Sequence, residues 1–241
     1  MHSKRNILLT GAAGHIGTAY RKHAGKQYAF RLVDIKPIGD PEGHETQIAD
    51  LADPDAARRA CEGMDTVIHL AADPRTTAEF YKDLLDPNFK ATYNMYRAAK
   101  DAGCARLIFA SSVNAVGGYP HERQVRATDA PCPGNVYGAS KAFGESLGAY
   151  FGHAEGLSSI CIRIGAVGEL SHLRADTPDY VRSIFITFRD LCHLLDRCVE
   201  TPNIPFAVVH GVSKNRVNWL DLTETSRLLD YHPVDDAFPS V

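Results

Sequence analysis

The chain has 241 residues, with 26 lysines and arginines against 29 aspartates and glutamates and a formal net charge of −3. That length suits one α/β domain with a sizeable core and is too short for two full domains. The charge balance supplies no basic field for nucleic acid, and no segment approaches the roughly 18 apolar residues of a membrane span. Lys4 and Arg5 before Ile7-Leu8-Leu9 imitate a signal peptide, but the apolar stretch is short and turns at once into glycines, so a cytoplasmic location is expected. The six cysteines show neither metal-ligand spacing nor a disulfide framework. They read as reduced, mostly buried thiols, with no metal site expected.

Taken in chain order, the first predicted strand is Asn6 to Thr10, and it runs directly into Thr10-Gly11-Ala12-Ala13-Gly14-His15-Ile16-Gly17. A second apolar run, 30–34, closes on Asp34. Asp53-Pro54 then reads as an N-cap followed by proline at the first helical position, opening a helix towards Cys61. Further strands are expected at 66–70, 106–110, 159–163 and 206–210, after a third-strand region ahead of Asp50. Residues 88–102 repeat apolar positions at helical spacing, and 136–151 do the same with glycines that weaken the helix. Asp221 and Glu224 suggest a capping box for a short last helix. Residues 117–135 and 166–181 lack periodicity and read as loops beside the strand ends, where substrate contacts gather.

This alternation of strands and helices predicts a doubly wound parallel sheet with helices on both faces. Ligands in such sheets collect beyond the carboxyl ends of the strands, where the strand order reverses. The ends at Thr10, Asp34, Leu70 to Ala72, Ser112 and Gly165 therefore nominate one cleft.

Gly11, Gly14 and Gly17 follow a strand and open a helix, which is the arrangement that receives a dinucleotide pyrophosphate. The first permits the tight turn, the second lets backbone approach the phosphates, and the third allows close helix–strand packing. Asp34 stands where a carboxylate accepts the adenosine ribose hydroxyls and repels a 2′-phosphate, favouring NAD over NADP, although Lys36 is near enough to receive such a phosphate. Asp50-Leu51 is placed either to bracket the adenine or as a solvated loop. Tyr137 and Lys141, four residues apart, fall on one face of a helix. The lysine's charge would favour the phenolate, so that Tyr137 could take a proton from a substrate hydroxyl. Ser112, at the end of the preceding strand, would hydrogen-bond the same oxygen.

Together these residues resemble the extended short-chain dehydrogenase/reductase superfamily, which includes the NAD-dependent epimerases and dehydratases. The resemblance runs from about Asn6 to Gly165 and rests on the glycine turn, Asp34, Asp50-Leu51, His69-Leu70-Ala71-Ala72, Asn88, Ala110-Ser111-Ser112 and Tyr137 to Lys141. It implies a Rossmann-type core over 1–165 and a small substrate-binding segment over 166–241 packed on the same domain. It implies that Ser112, Tyr137 and Lys141 are catalytic. The NAD-lining residues it implies are Gly11, Gly14, His15, Ile16, Gly17, Asp34, Asp50, Leu51, Leu70, Ala71, Ala72, Asn88 and Lys141, with Asn88 supporting the active-site helix.

The short 166–241 segment is similar to that of uronate dehydrogenases and archaeal-type sugar-phosphate dehydrogenases, which oxidise the anomeric hydroxyl of a free sugar. Two positions depart from the uronate pattern: Val113-Asn114 stands where those enzymes have Asn-His, and Ala166 where they have serine. The expected substrate contacts are Ser112, Val113, Asn114, Tyr137 and Gly165, with Arg75 or Arg182, and Arg174 beside it, available for an anion. The expected activity is NAD-dependent oxidation of a sugar hydroxyl at C1. The alternatives are a nucleotide-sugar epimerase or dehydratase that keeps NAD bound, and a non-catalytic dinucleotide sensor. Superfamily members often dimerise through the helix bearing the Tyr-Lys pair, so a homodimer is also expected.

Overall fold

The computed structural model describes residues 4–239. Strand β1 (Asn6–Thr10) leads to helix α1 (His15–Ala24), β2 (Ala29–Asp34), β3 (Glu45–Ile48), α2 (Pro54–Cys61) and β4 (Thr66–His69). A π-helix (Phe80–Lys90) continues into α3 (Ala91–Asp101), followed by β5 (Arg106–Ser112) and α4 (Val136–His153). Then come β6 (Ser158–Ile164), β7 (Ala166–Gly168), α5 (Asp179–Ser183), β8 (Phe185–Thr187), α6 (Phe188–Glu200), β9 (Phe206–Gly211) and α7 (Thr223–Leu229). Seven strands form one sheet in the order β3-β2-β1-β4-β5-β6-β9. Every pairing in it is parallel. The expected α/β doubly wound architecture is present, and the order reverses between β1 and β4.

Side-chain alternation along the strands explains the two layers. Ile7, Leu9, Leu32, Ile108 and Ile162 point to one face, where they pack with Tyr20 and Ala24 of α1, Leu191 to Leu195 of α6 and Leu229 of α7. Leu8, Val33, Val67, Leu107 and Phe109 point to the other, against Ala57 of α2, Met95 of α3 and Phe151 of α4. Each strand is thus apolar at consecutive positions because both of its faces are covered.

The six strands foreseen are all present, with bounds moved by at most two residues. Strand β3, Glu-Thr-Gln-Ile at the sheet edge, is mostly exposed and carries no apolar alternation. Asp53 does cap α2, its Oδ1 accepting from the Asp55 amide at 2.9 Å with Pro54 at the first position. The helical path around Asn88 begins earlier than its periodicity suggests, as a π-helix containing Pro87. The glycines of α4 reflect close approach to the sheet: a Cβ at Gly144 would collide with the Phe109 ring. The capping box at Asp221 and Glu224 does not form. Asp221 instead accepts from the Thr223 amide at 3.1 Å, Glu224 pairs with Arg227, and the N-cap is Leu222 with no side-chain bond. Of the two irregular stretches, 166–181 supplies β7, which pairs with β8 in a second small sheet. Residues 117–135 are pinned to the C-terminal segment by a bridge between Val125 and Leu220.

Candidate active site

The glycine turn sits at the switch point between β1 and β4. Gly11 takes φ +68°, a conformation that L side chains resist, and a Cβ there would lie 2.8 Å from the Ala71 amide nitrogen. A Cβ at Gly17 would collide with the Gly11 carbonyl, so α1 can pack this close to the turn only without one. Gly14 caps α1 without a side-chain bond, which leaves the amides of the first turn directed at the turn's mouth. His15 is exposed there and Ile16 half-buried. Thr10 fastens the two strand ends: its Oγ1 accepts from the Ala71 amide at 3.2 Å and lies 2.8 Å from His69 Nδ1.

At the end of β2, Asp34 Oδ2 accepts from the Ala13 amide at 2.9 Å and Oδ1 from the Lys36 amide at 3.0 Å. These bonds hold the carboxylate on the rim of the turn, with lone pairs left to accept from ribose hydroxyls. Asp34 pairs in register with Ile48, so Asp50 falls two residues beyond on the same rim. Asp50 Oδ1 accepts from the Ala52 amide at 2.9 Å, and Leu51 is buried. Leu70, Ala71 and Ala72 continue from β4, half-buried. A cradle that any Cβ would fill, free helix amides and a fixed carboxylate together fit NAD. We expect Asp34→Ala to weaken NAD binding about tenfold or more and to narrow the preference over NADP, as read by titration with both dinucleotides. A parent protein that already prefers NADP would remove this role from Asp34.

The second half of the site is assembled by asparagines. Ser112 ends β5, and its Oγ accepts from the Asn114 amide at 3.2 Å and from Asn114 Nδ2 at 3.3 Å, so its own O–H remains to donate. Asn135 Nδ2 donates to Asn114 Oδ1 at 2.9 Å, while Asn135 Oδ1 accepts from the Gly138 amide at 2.7 Å and caps α4. A Cβ at Gly138 would collide with the Asn114 carbonyl, so the first turn of α4 lies directly against the Ser112 loop. From the other side Asn88 Nδ2 donates to Ser140 Oγ at 3.0 Å, and Ser140 donates to the Tyr137 carbonyl at 2.7 Å. The remaining polar contacts of Asn88 go to the Asp73 backbone, at 2.8 and 3.1 Å. Asn88 therefore braces the helix bearing Tyr137 and Lys141.

Tyr137 is 8 % exposed and Lys141 4 %. Burial pushes the Tyr137 phenol above its ordinary value; the hydrogen bond with Ser112 acts in the opposite direction, and the charge of Asp73 adds to the rise. Burial alone brings the Lys141 ammonium down to about 8. Its Nζ stands 5.5 Å from the Tyr137 ring centroid and 5.0 Å from that of Phe109. Ser112, Tyr137 and Lys141 thus meet at one strand end, beside the glycine turn.

The arginines are engaged by partners within the chain. Arg75 is held by Asp73 at 2.6 Å and Asp83 at 3.0 Å. Arg182 is buried, and its guanidinium donates to three carbonyls: Thr177 at 3.2 Å, Ala237 at 2.6 Å and Arg174 at 2.6 Å. That is a staple for the C-terminal segment, and the expectation that Arg182 meets a substrate anion does not match its surroundings. Arg174 pairs with Asp176 at 3.5 Å. Val113 joins an apolar cluster with Ile184, Trp219 and Val212, against which Ala166 and Tyr180 pack. Gly165 is half-buried, and a Cβ there would collide with the Ile184 carbonyl. Asn135 was missed from sequence, although an asparagine immediately ahead of a helical run is the standard N-cap signal.

A family model described as the NAD dependent epimerase/dehydratase family matches residues 7–181. The chain belongs to that family. It is 34% identical over 249 residues to an NAD-dependent glucose-6-phosphate dehydrogenase of Haloferax volcanii, covering 96% of this chain and 94% of that protein. It is also 34% identical over 236 residues to a uronate dehydrogenase of Pseudomonas syringae pv. tomato, covering 96% and 82% respectively. Among solved structures, a mutant of the uronate dehydrogenase from Agrobacterium tumefaciens complexed with NAD superimposes with a TM-score of 0.85 at 29% identity, over 98% of this chain and 86% of that one. Within the family, the glycine turn and Asp34 lie in the matched region, as do Ser112, Tyr137 and Lys141.

Proposed function

We propose that the chain is an NAD-dependent dehydrogenase that oxidises a sugar at its anomeric hydroxyl, the substrate being a uronate or a related aldose. The observation that carries this reading is the convergence of Ser112, Tyr137 and Lys141 beside the Gly11–Asp34 cradle. When bound, NAD supplies a hydride acceptor whose ring carries positive charge. The protein's part is proton handling and orientation. Ser112, which hydrogen-bonds Tyr137 in the empty site, turns its O–H to the substrate hydroxyl oxygen, and Tyr137, as phenolate, takes that hydroxyl's proton. With NAD bound, the cofactor would accept the C1 hydrogen as hydride, and the sugar would become a lactone. Lys141, 4 % exposed, would favour the phenolate by its charge and would hold the cofactor's ribose.

We assign cofactor holding to 1–165 and substrate contacts to Ser112, Val113, Asn114, Tyr137, Gly165 and the 166–241 segment. Structurally the latter also completes the sheet through β9. A cytoplasmic setting is supported by six free cysteines. Among the described residues no helix is long and apolar enough to cross a membrane. A homodimer through α3 and α4 is supported by Tyr93 and Tyr150, exposed on those helices at 48% and 51%.

The test is absorbance at 340 nm with NAD and a panel of galacturonate, glucuronate, glucose, galactose and glucose 6-phosphate. Growth of NADH with at least one sugar is expected. A flat trace across the panel from protein that binds NAD would transfer the assignment to a nucleotide-sugar epimerase.

A further inference from the structure

One polar layer is buried directly beneath the candidate catalytic residues. Ser111, Arg163 and His210 stand side by side across β5, β6 and β9, since Ser111 pairs in register with Arg163 and Arg163 with His210. All three are buried. Above them α4 contributes Glu145, one helical turn beyond Lys141 and on its face. Arg163 meets this carboxylate with two parallel bonds, Nε to Oε1 and Nη2 to Oε2, both 2.9 Å, and Ser111 Oγ donates to Oε1 at 2.6 Å. The guanidinium also donates to the Asp129 carbonyl, at 3.2 Å from Nη1 and 3.3 Å from Nη2.

The same layer reaches the two segments that border the cleft. Asp129 lies in the 117–135 loop, where its carboxylate accepts from the Arg126 amide at 2.8 Å and pairs with Arg123 at 2.7 Å. His210 Nδ1 lies 2.8 Å from the Asp221 carbonyl oxygen, and the Asp221 amide donates to the Val125 carbonyl at 2.8 Å. One buried ion pair is therefore bonded to the residue beside Ser112 and to the loop, holds the catalytic helix through Glu145, and reaches the C-terminal segment only through the loop's Val125.

A buried pair of this kind adds little stability compared with apolar residues of similar volume, because desolvating both charges offsets their attraction. Its geometric effect is larger: a planar fork on a carboxylate fixes rotation as well as distance. The geometry points to Arg163, Glu145 and Ser111 as positioning residues that set α4 against β5, so that Tyr137 meets Ser112, and that tie the 117–135 loop to this alignment. None of the three touches substrate.

The decisive variant is Glu145→Leu with Arg163→Leu, measured as the full chain with NAD. It is expected to fold and to keep binding NAD, since neither Glu145 nor Arg163 bonds to the Gly11–Asp34 cradle and only the contribution of Lys141 moves with the helix. Its kcat for the best sugar of the panel should fall roughly 100-fold, the scale of an ångström-sized misplacement, well beyond any change in KM for NAD. Hydrogen exchange should quicken in 117–135 and in the first turns of α4, and stay at the parental rate in β1 and α1. The kinetic arm rests on the sugar-oxidising reading and the exchange arm does not, so a parent inactive on every sugar would sink that reading alone. Parental exchange in the double variant, or parental kcat where the parent is active, would overturn the positioning role. If the double variant does not fold, Glu145→Gln with Arg163→Met decides on the same two readouts, since it keeps the volumes and leaves no buried charge unpaired.

Discussion

Tyr137→Phe is expected to reduce turnover by about 100- to 10,000-fold, the range supplied by a positioned acid–base group, while NAD affinity stays near that of the parent. The substitution removes one oxygen atom from a side chain otherwise held by the packing of α4. The ring's neighbours Ala78, Leu84 and Phe89 remain, as does the Asn135 cap at 2.7 Å from the Gly138 amide. The parent's pH dependence follows from the same residue. Burial raises the phenol's pKa, so at neutral pH the empty site holds the protonated form, which cannot accept the substrate proton. Ionisation of Tyr137 should therefore accelerate oxidation in the parent as pH rises from about 7, with no plateau short of 10 and with the gain opposed above about 8, where Lys141 loses its charge. A positively charged nicotinamide ring would shift that rise to lower pH. Initial rates at saturating NAD and sugar would record it. Tyr137→Phe protein with parental turnover would remove Tyr137 as the base.

What could be read in the sequence was what depends on neighbouring residues. The glycine turn, the strand runs and the Asp53-Pro54 start are local patterns, and each marks a backbone requirement that one or two residues satisfy. Asp34 was legible because it closes an apolar run that must be a buried strand. The edge strand Glu-Thr-Gln-Ile was legible only as a region ahead of Asp50 and without bounds, because a strand exposed on the sheet edge needs no apolar alternation. Arg182 shows the opposite failure. Arg182 and Arg75 lie near the right strand ends in sequence, but a guanidinium's partners are set by tertiary contacts: three carbonyls for the first and two aspartates for the second. Arg163 lies inside the apolar β6 run, where an ionised side chain must find a buried partner. The sequence thus signals that a partner exists, while Glu145 as its identity becomes visible only when α4 lies across the sheet.

Lys141→Met is expected to stabilise the protein while abolishing its proposed activity. The ammonium is 4 % exposed, and among the described residues no ion pair is recorded for it; burial alone lowers its pKa from 10.5 to about 8. That depression fixes the sign. Below pH 8 the lysine is charged in both the folded and unfolded chains, and the folded state bears the cost of a desolvated charge. Between about 8 and 10.5 only the unfolded chain holds the proton, so the parent's stability rises with pH, and above 10.5 the cost is gone. At about 1.4 kcal/mol per pH unit, the cost near neutrality is about 3 kcal/mol. Methionine fills a similar volume without the charge. The variant should therefore melt several degrees above the parent at pH 7, and the gap should close as pH approaches 10.5. Turnover at pH 7, where Lys141 is still charged, should fall by at least about 100-fold, because the ammonium that favours the phenolate is gone. Thermal unfolding at several pH values, without NAD, measures the first effect, and the 340 nm assay measures the second. An unchanged melting temperature at pH 7 would mean that the ammonium is solvated or paired in the folded chain. A stabilised, inactive variant would show that the fold carries an unfavourable buried charge at the one place where the proposed chemistry requires it.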